Sequence, residues 1–479
     1  MNKKKFIVPM LALCVVTCAT ACTQETTNNT NTNETTTQTT EAATNQNKLS
    51  RSDIAITQTL TNNNDGEHVI TADGTSQSYS NTEVIKTGDS SGDEADFYGE
   101  NAAIFGTNKG TLDMSSMVVD TNGAHANGVF SYGEGTTVNI SDSYITTAGN
   151  CSGALMTTGG GTMNATNVTA ETFGNSSATI RSDRGGGDVN VNGGYFVTNG
   201  TGSPTIYSTA DITVSNAYLE STASQGVVVE GKNSVALNDA TLVANNNKKN
   251  SNKSSFYQAV MIYQSMSGDA DEGTSSFTMN GGSLTNANGD IFFVNNTACE
   301  ISLSGANIVN NDANGVFLRA AAAGWGSSGS NGGKVNLKAT NQTINGNLLA
   351  DDISTLNLYM SDNSVLNGAI NPDGQTGNVY VELTNGSTWT LTADSYVSSL
   401  TCDAGSINLN GHTLYVNGVA YTDGSASSGQ ATAITSNSSS SKSHGDNAGM
   451  SSSDSSSRPT KPEGDSSSSS HSKKPSQKK

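Results

Sequence analysis

The chain has 479 residues, 33% of them hydrophobic and only 6% aromatic, with a formal net charge of −19. Between Arg51 and Thr422 stand 12 basic and 34 acidic side chains, so this stretch alone carries −22 while the two ends together are slightly positive. A body so acidic has nothing with which to neutralise phosphates, and nucleic acid is excluded as a partner.

The first elements concern the compartment. Lys3, Lys4 and Lys5 precede an apolar run from Phe6 to Val16, and small residues lead into Cys22. A basic start, a short apolar stretch and a small-residue cleavage site describe an export signal. The run is shorter than the roughly 20 apolar residues a spanning helix needs. Ala19-Thr20-Ala21-Cys22 resembles the lipobox of bacterial lipoproteins, with Ala19 where that family usually has Leu. The resemblance implies that residues 1–22 are a lipoprotein signal and that Cys22 carries the lipid. The protein is then expected to be exported, anchored to the cell membrane through Cys22 and exposed on the cell surface, two acyl chains being enough for stable anchoring. Read from the residues alone, an ordinary secreted protein stays open. Residues 23–50 are Thr, Asn, Gln and Glu with almost nothing apolar, and are expected to be a flexible linker.

Residues 51–100 are expected to form the N-terminal cap of a repeat that runs over residues 101–422. Each unit carries an apolar–polar–apolar triplet: Leu112/Met114, Val138/Ile140, Met163/Ala165, Val189/Val191, Ile212/Val214, Val235/Leu237, Phe277/Met279, Ile301/Leu303, Val335/Leu337, Leu356/Leu358, Val379/Val381 and Ile407/Leu409. That period marks a half-buried strand. Five residues on, after bends such as Asn192-Gly193-Gly194 and Asn280-Gly281-Gly282, come Ile145, Phe196, Leu219, Leu242, Leu284, Ile308 and Leu414. A third ladder reads Ile104, Phe130, Leu155, Ile180, Ile206, Val228, Met261, Phe292 and Phe317. Three short strands recurring in one direction predict an all-β fold, a single right-handed parallel β-helix of about twelve coils in which each coil covers its neighbour's backbone edge. An antiparallel hairpin protein would mirror the pattern about each turn, which this sequence does not do. Pro204 and Pro372 suit the helix, since a central strand can rarely spare an N–H.

Of six cysteines, Cys14 and Cys18 fall in the signal and Cys22 in the lipobox. Cys151, Cys299 and Cys402 remain, an odd number too far apart along a rod to pair, and are read as small buried apolar residues. Beyond about Asp423 the chain turns Ser-rich and ends in Lys473, Lys474, Lys478 and Lys479, a tail expected to be disordered over residues 423–479.

The coils over residues 100–422 resemble the pectate-lyase-like parallel β-helix superfamily. The last of them, from Leu383-Thr384-Asn385-Gly386-Ser387 to Leu414-Tyr415-Val416-Asn417-Gly418, are similar to the closing rungs of autotransporter adhesin passengers. The resemblance implies a scaffold shared by polysaccharide lyases, glycan-binding proteins and adhesins, and so speaks for fold more than for function.

Function is sought where the coils are interrupted. The first insertion, Asn245–Gly273, contains Asp269, Asp271 and Glu272, three carboxylates that suit Ca²⁺ as a metal site or else form a solvated acidic loop. The second, Ala320–Lys334, carries Trp325 between Gly324 and Gly326: a stacking platform for a sugar ring, or a lid over the coil exterior. Val260/Ile262, Ile291/Phe293 and Val316/Leu318 are read as an outward apolar stripe, giving Trp325, Phe293, Ile262 and Leu318 as candidate ligand-binding residues. Arg181, Asp183, Arg184 and Asp188 sit on one coil, with Arg181–Asp183 read as a surface ion pair, and no catalytic residue or cofactor-binding residue is assigned. The expectation is a non-catalytic adhesin or carbohydrate-binding lipoprotein whose partner is a glycan or a host or neighbouring cell surface. A polysaccharide lyase or glycoside hydrolase on the same scaffold, and a structural surface stalk, are the alternatives.

Overall fold

A computed structural model describes residues 48–249 and 251–435. The expectations for Cys22, the signal and most of the linker lie outside the described residues, as does the tail beyond Thr435. The described chain is a parallel β-helix. One long sheet of 20 strands and a second of 11 run along it, joined towards the C-terminal end by sheets of four and three strands.

Parallel stacking reflects the sequence period. Leu112 pairs with Val138, Val138 with Met163, Met163 with Val189, and so on to Phe277 and Ile301, so that like side chains pile into inner columns. The second ladder runs in the same way through Ile145, Ala170, Phe196, Leu219, Leu242, Leu284 and Ile308. Outward positions hold amides that bond from coil to coil, as in Asn190 to Asn164 to Asn139, the last donating to the Asp113 carboxylate. Among the described residues the named strand pairs are parallel except Leu414–Val416 against Val419–Ala420, a short return that closes the last coil.

Several sequence-based expectations need correction. The β-helix starts earlier than residue 101: Gln58–Asn62, Ile70–Asp73, Ser76–Ser80 and Thr82–Lys86 already pair in parallel with later strands. Those residues lack a clean apolar triplet, for Gln77, Ser78 and Tyr79 stand where the next coil has Leu112, Asp113 and Met114. Val335/Leu337 lie against Cys299/Ile301, two residues from the expected register, which preserves the face because strand periodicity is two. Ile407 pairs with Trp389 in the second ladder, and Leu400/Cys402 close the first. Leu414 pairs with Ser395 rather than with a second-ladder strand.

The third ladder carries the consequential difference. Its inner column is Ile104, Val129, Leu155, Ile180, Ile206, Val227, Val260, Phe292 and Leu318. Phe130, Val228 and Met261 are therefore one residue off and face outwards, while Ile262 and Leu318, expected outside, are fully buried in the inner core. A one-residue slip exchanges the two faces of a strand. In runs such as Gln258–Tyr263 and Asp290–Asn295 every residue is buried, so alternation carries no signal there.

The ends also depart from expectation. Residues 427–435 pack back over the first sheet: Ser427 and Cys402 exchange backbone bonds, Gln430 N donates to Ser399, Thr432 and Asn357 bond both ways, and Lys334 Nζ donates to the Thr435 carbonyl. At the other end Lys48 reaches Glu171 at 2.9 Å and lies over the Tyr195 ring.

Candidate binding cleft

The outer face of the 11-stranded sheet carries a continuous column: Phe105, Phe130, Met156, Arg181, Tyr207, Val228, Met261, Phe293, Arg319 and Leu349 stand on successive strands. Most of these side chains are apolar, and a bare stripe of that length would be unstable in water. Two covers shield it.

The first cover is the helical turn Asp93–Phe97, an element with no repeat signature in the sequence. Phe97 is fully buried, its carbonyl accepts from Thr158 Oγ1 at 2.6 Å, and the Arg184 guanidinium lies 3.9 Å above its ring. Ala102, just beyond the turn, packs with Phe105, Phe130 and Met156, and the His68 ring stacks on Phe105 at 4.4 Å. Asp96 turns inward to within 3.7 Å of Arg181, which also binds Asp183 at 2.5 and 2.9 Å. Arg181 and Asp183 are each only 2% exposed, so this is a buried pair rather than the surface pair expected, because the turn folds over it. Such a pair offsets its own desolvation at best, and losing one partner strands the other.

The second cover is built by both long insertions, which hold each other through Gly324 N and the Lys253 carbonyl at 2.9 Å. Phe256 wedges between the Phe293 ring at 5.4 Å and the Arg319 guanidinium at 4.2 Å. Trp325 packs edge-on against Tyr263 at 5.1 Å, and Asn331 Nδ2 fixes its loop through the Ala323 and Trp325 carbonyls. Trp325 is 8% exposed: it is a lid residue whose remaining surface faces a cleft.

That cleft, of about 70 Å³, opens beneath the second cover and reaches Gly202 and Pro204. Tyr207, Val228 and Met261 form its floor, Phe256, Tyr257, Tyr263 and Trp325 its aromatic walls, and Gln225, Asn246, Lys248 and Lys249 supply amides and cations at the rim. The structure brings Trp325 and Phe293 into one cluster and keeps Ile262 and Leu318 on the other side of the sheet.

Beneath the cleft lies a group that no sequence motif announced. Glu230 is fully buried, and its carboxylate accepts from Tyr207, from Tyr263 at 2.9 Å and from Ser265. Burial pushes the Glu230 carboxyl above its ordinary range, and burial beside that carboxyl drives both tyrosines well above theirs. Correct facing of Val227–Glu230 would have disclosed it, since Glu230 pairs directly with Tyr263 on the outer side.

The acidic loop is engaged with cations. Asp269 bonds Arg184 at 2.9 Å and Asp271 bonds Lys232 at 2.8 Å. Among the described residues, Asp269, Asp271 and Glu272 do not converge as a ligand set, whereas Asp96, His125 and Cys151 do. Cys151 is accordingly only half-buried in a turn, unlike the core residues Cys299 and Cys402.

Comparison with protein-family models, with curated proteins and with solved structures gives no match to this chain.

Proposed function

We propose that the protein is an exported, lipid-anchored surface protein whose β-helix presents a non-catalytic carbohydrate-binding cleft. The observation that carries this reading is the cleft itself. Aromatic side chains line its walls, amides and lysines stand at its rim, and strands of the 11-stranded sheet form its floor. Sugar rings offer apolar faces and many hydroxyls, and sites that hold small ligands are mostly apolar with a few placed polar groups. The three lysines of 248–253 sit on a body that is otherwise strongly acidic, which favours ligands bearing hydroxyl or carboxylate groups. A binding role, rather than lyase or hydrolase chemistry, is supported by the state of the carboxyl nearest the cleft. Glu230 is sealed from solvent and occupied by three hydroxyl donors, and a general acid must reach the bond it protonates.

The test is a glycan array with the purified chain, followed by incubation with each retained glycan. Retention without shortening of the glycan is expected. Depolymerisation would show an enzyme, and no retention a stalk. In Trp325→Ala, binding should weaken by about 1–3 kcal/mol, the scale known for aromatic stacking against bases. Wild-type binding in that variant would move the site elsewhere. The anchoring half of the reading is checked separately: Cys22→Ala should leave the membrane fraction or stall in processing.

A further inference from the structure

Away from the cleft, on the flank held by the first cover, three side chains of different chemistry meet. Asp96 comes from the helical turn, and His125 and Cys151 from the corners of two successive coils. Their ligand atoms all lie within 4.8 Å of one another, and His125 Nδ1 stands 3.1 Å from Asp96 Oδ1. His125 and Asp96 side chains are each 15% exposed, so solvent reaches the group.

The stacking explains the meeting. His125 N donates to the Asn150 carbonyl and Cys151 N to the Asn175 carbonyl, which sets residues 125, 151 and 176 above one another at one corner. All three have left-handed backbones, with φ of 55°, 56° and 55°. Asn and Gly fill most such positions in this chain, and His and Cys gain nothing there by conformation alone. The helical turn then adds a carboxylate from outside the coil.

We propose that Asp96, His125 and Cys151 form a binding site for a divalent transition metal of the Zn²⁺ type, with a fourth position left to water or a small ligand. A carboxylate oxygen, an imidazole nitrogen and a thiolate sulfur are the three donor types that Zn²⁺ takes, and three protein ligands plus an open position is its reactive arrangement. Bonds of about 2.0–2.3 Å in a tetrahedron put neighbouring donor atoms roughly 3.3–3.8 Å apart, within the span these side chains already occupy. The soft sulfur selects against Ca²⁺ and Mg²⁺. Charge balances too. Arg181 beside the site meets both Asp183 at 2.5 Å and Asp96 at 3.7 Å, so the two carboxylates and the Cys151 thiolate, less the one positive charge of Arg181, leave two negative charges for a dication.

The test uses Co²⁺ as a spectroscopic stand-in, added to the reduced, chelator-treated full chain. Saturable binding of one Co²⁺ with a near-ultraviolet thiolate-to-cobalt band is expected, and Zn²⁺ should bleach that band. Cys151→Ser should lose the band yet keep the wild-type circular dichroism, since Ser176 already holds the same backbone one coil on. His125→Asn, which suits a left-handed turn, should weaken binding at least about tenfold. An Asp269→Asn/Asp271→Asn double variant should bind as wild type. No saturable cobalt binding by the folded chain, or a band that survives Cys151→Ser, overturns the site. So does alkylation of Cys151 that proceeds equally fast with and without Zn²⁺, which would mark a reactive thiol instead.

Discussion

The outer column of the 11-stranded sheet is covered twice, and the two covers differ in kind. Over Phe105, Phe130 and Met156 the short segment that follows the helical turn brings Gly99 and Ala102 into close contact, with His68 stacked on Phe105. Over Val228, Met261 and Phe293 two long polar insertions, joined through Gly324 and Lys253, supply Phe256 and Trp325, and a cleft remains. Stripe and scaffold are the same in both halves. What separates a closed stripe from an open cleft here is the fit of the cover. A short segment packed close leaves no gap over the apolar stripe itself, whereas a long one fastened at intervals leaves a cleft lined by its own anchors.

The sharpest way to break this comparison is to attack the sheet beneath both covers. Phe292 is fully buried in the inner column between Phe277 and Phe317. Phe292→Asp should unfold the central coils, costing several kcal/mol through an unpaired buried carboxylate. Retention of wild-type melting would refute the inside–outside assignment. Next in size is the first cover: Phe97→Ala removes a buried ring, and such truncations cost about 3–5 kcal/mol. Because Phe97 is held by Thr158 and lies under Arg184, the loss should appear as hydrogen exchange opening around Thr158 and Arg184 while the strands beneath the cleft stay protected. Uniform loss of protection along the rod would mean the covers are not independent.

A smaller effect tests the second half. The Glu230 carboxyl binds its proton more tightly folded than unfolded, so its contribution favours the folded state at low pH. That contribution is lost as pH rises through the raised folded value. Glu230→Gln should therefore gain melting temperature relative to wild type as pH is raised from the ordinary carboxyl range towards neutrality. A constant difference across that range would show that Glu230 does not titrate with folding. Least of all should Asn190→Asp matter. Its amide bonds Asn164 on the exposed ladder, and a shift within about 0.5 kcal/mol is expected from thermal melts.

The repeat made the coil direction and the first two ladders legible, because an apolar–polar–apolar triplet with an Asn-Gly bend fixes both strand and turn. It left the third ladder's facing open wherever both faces are buried. Ile262 and Phe293 look alike in sequence, yet one enters the core and the other waits under Phe256. Trp325 could be read as platform or lid, and it is a lid residue that also lines the cleft. Glu230 and the Asp93–Phe97 turn escaped notice for a different reason. Their roles depend on chain segments distant in sequence that arrive on the outer face, which no local period encodes.

The strap formed by residues 427–435 has a mechanical consequence. It crosses the first sheet from Cys402 back to Lys334, fastened by separate bonds at Thr401, Ser399 and Asn357. Tension applied to the chain at Thr435 therefore acts first on these fastenings, one after another. The closing coil is loaded only when the strap has been peeled to Ser427, so the small bonds serve as a fuse that protects the open edge of the rod from unzipping.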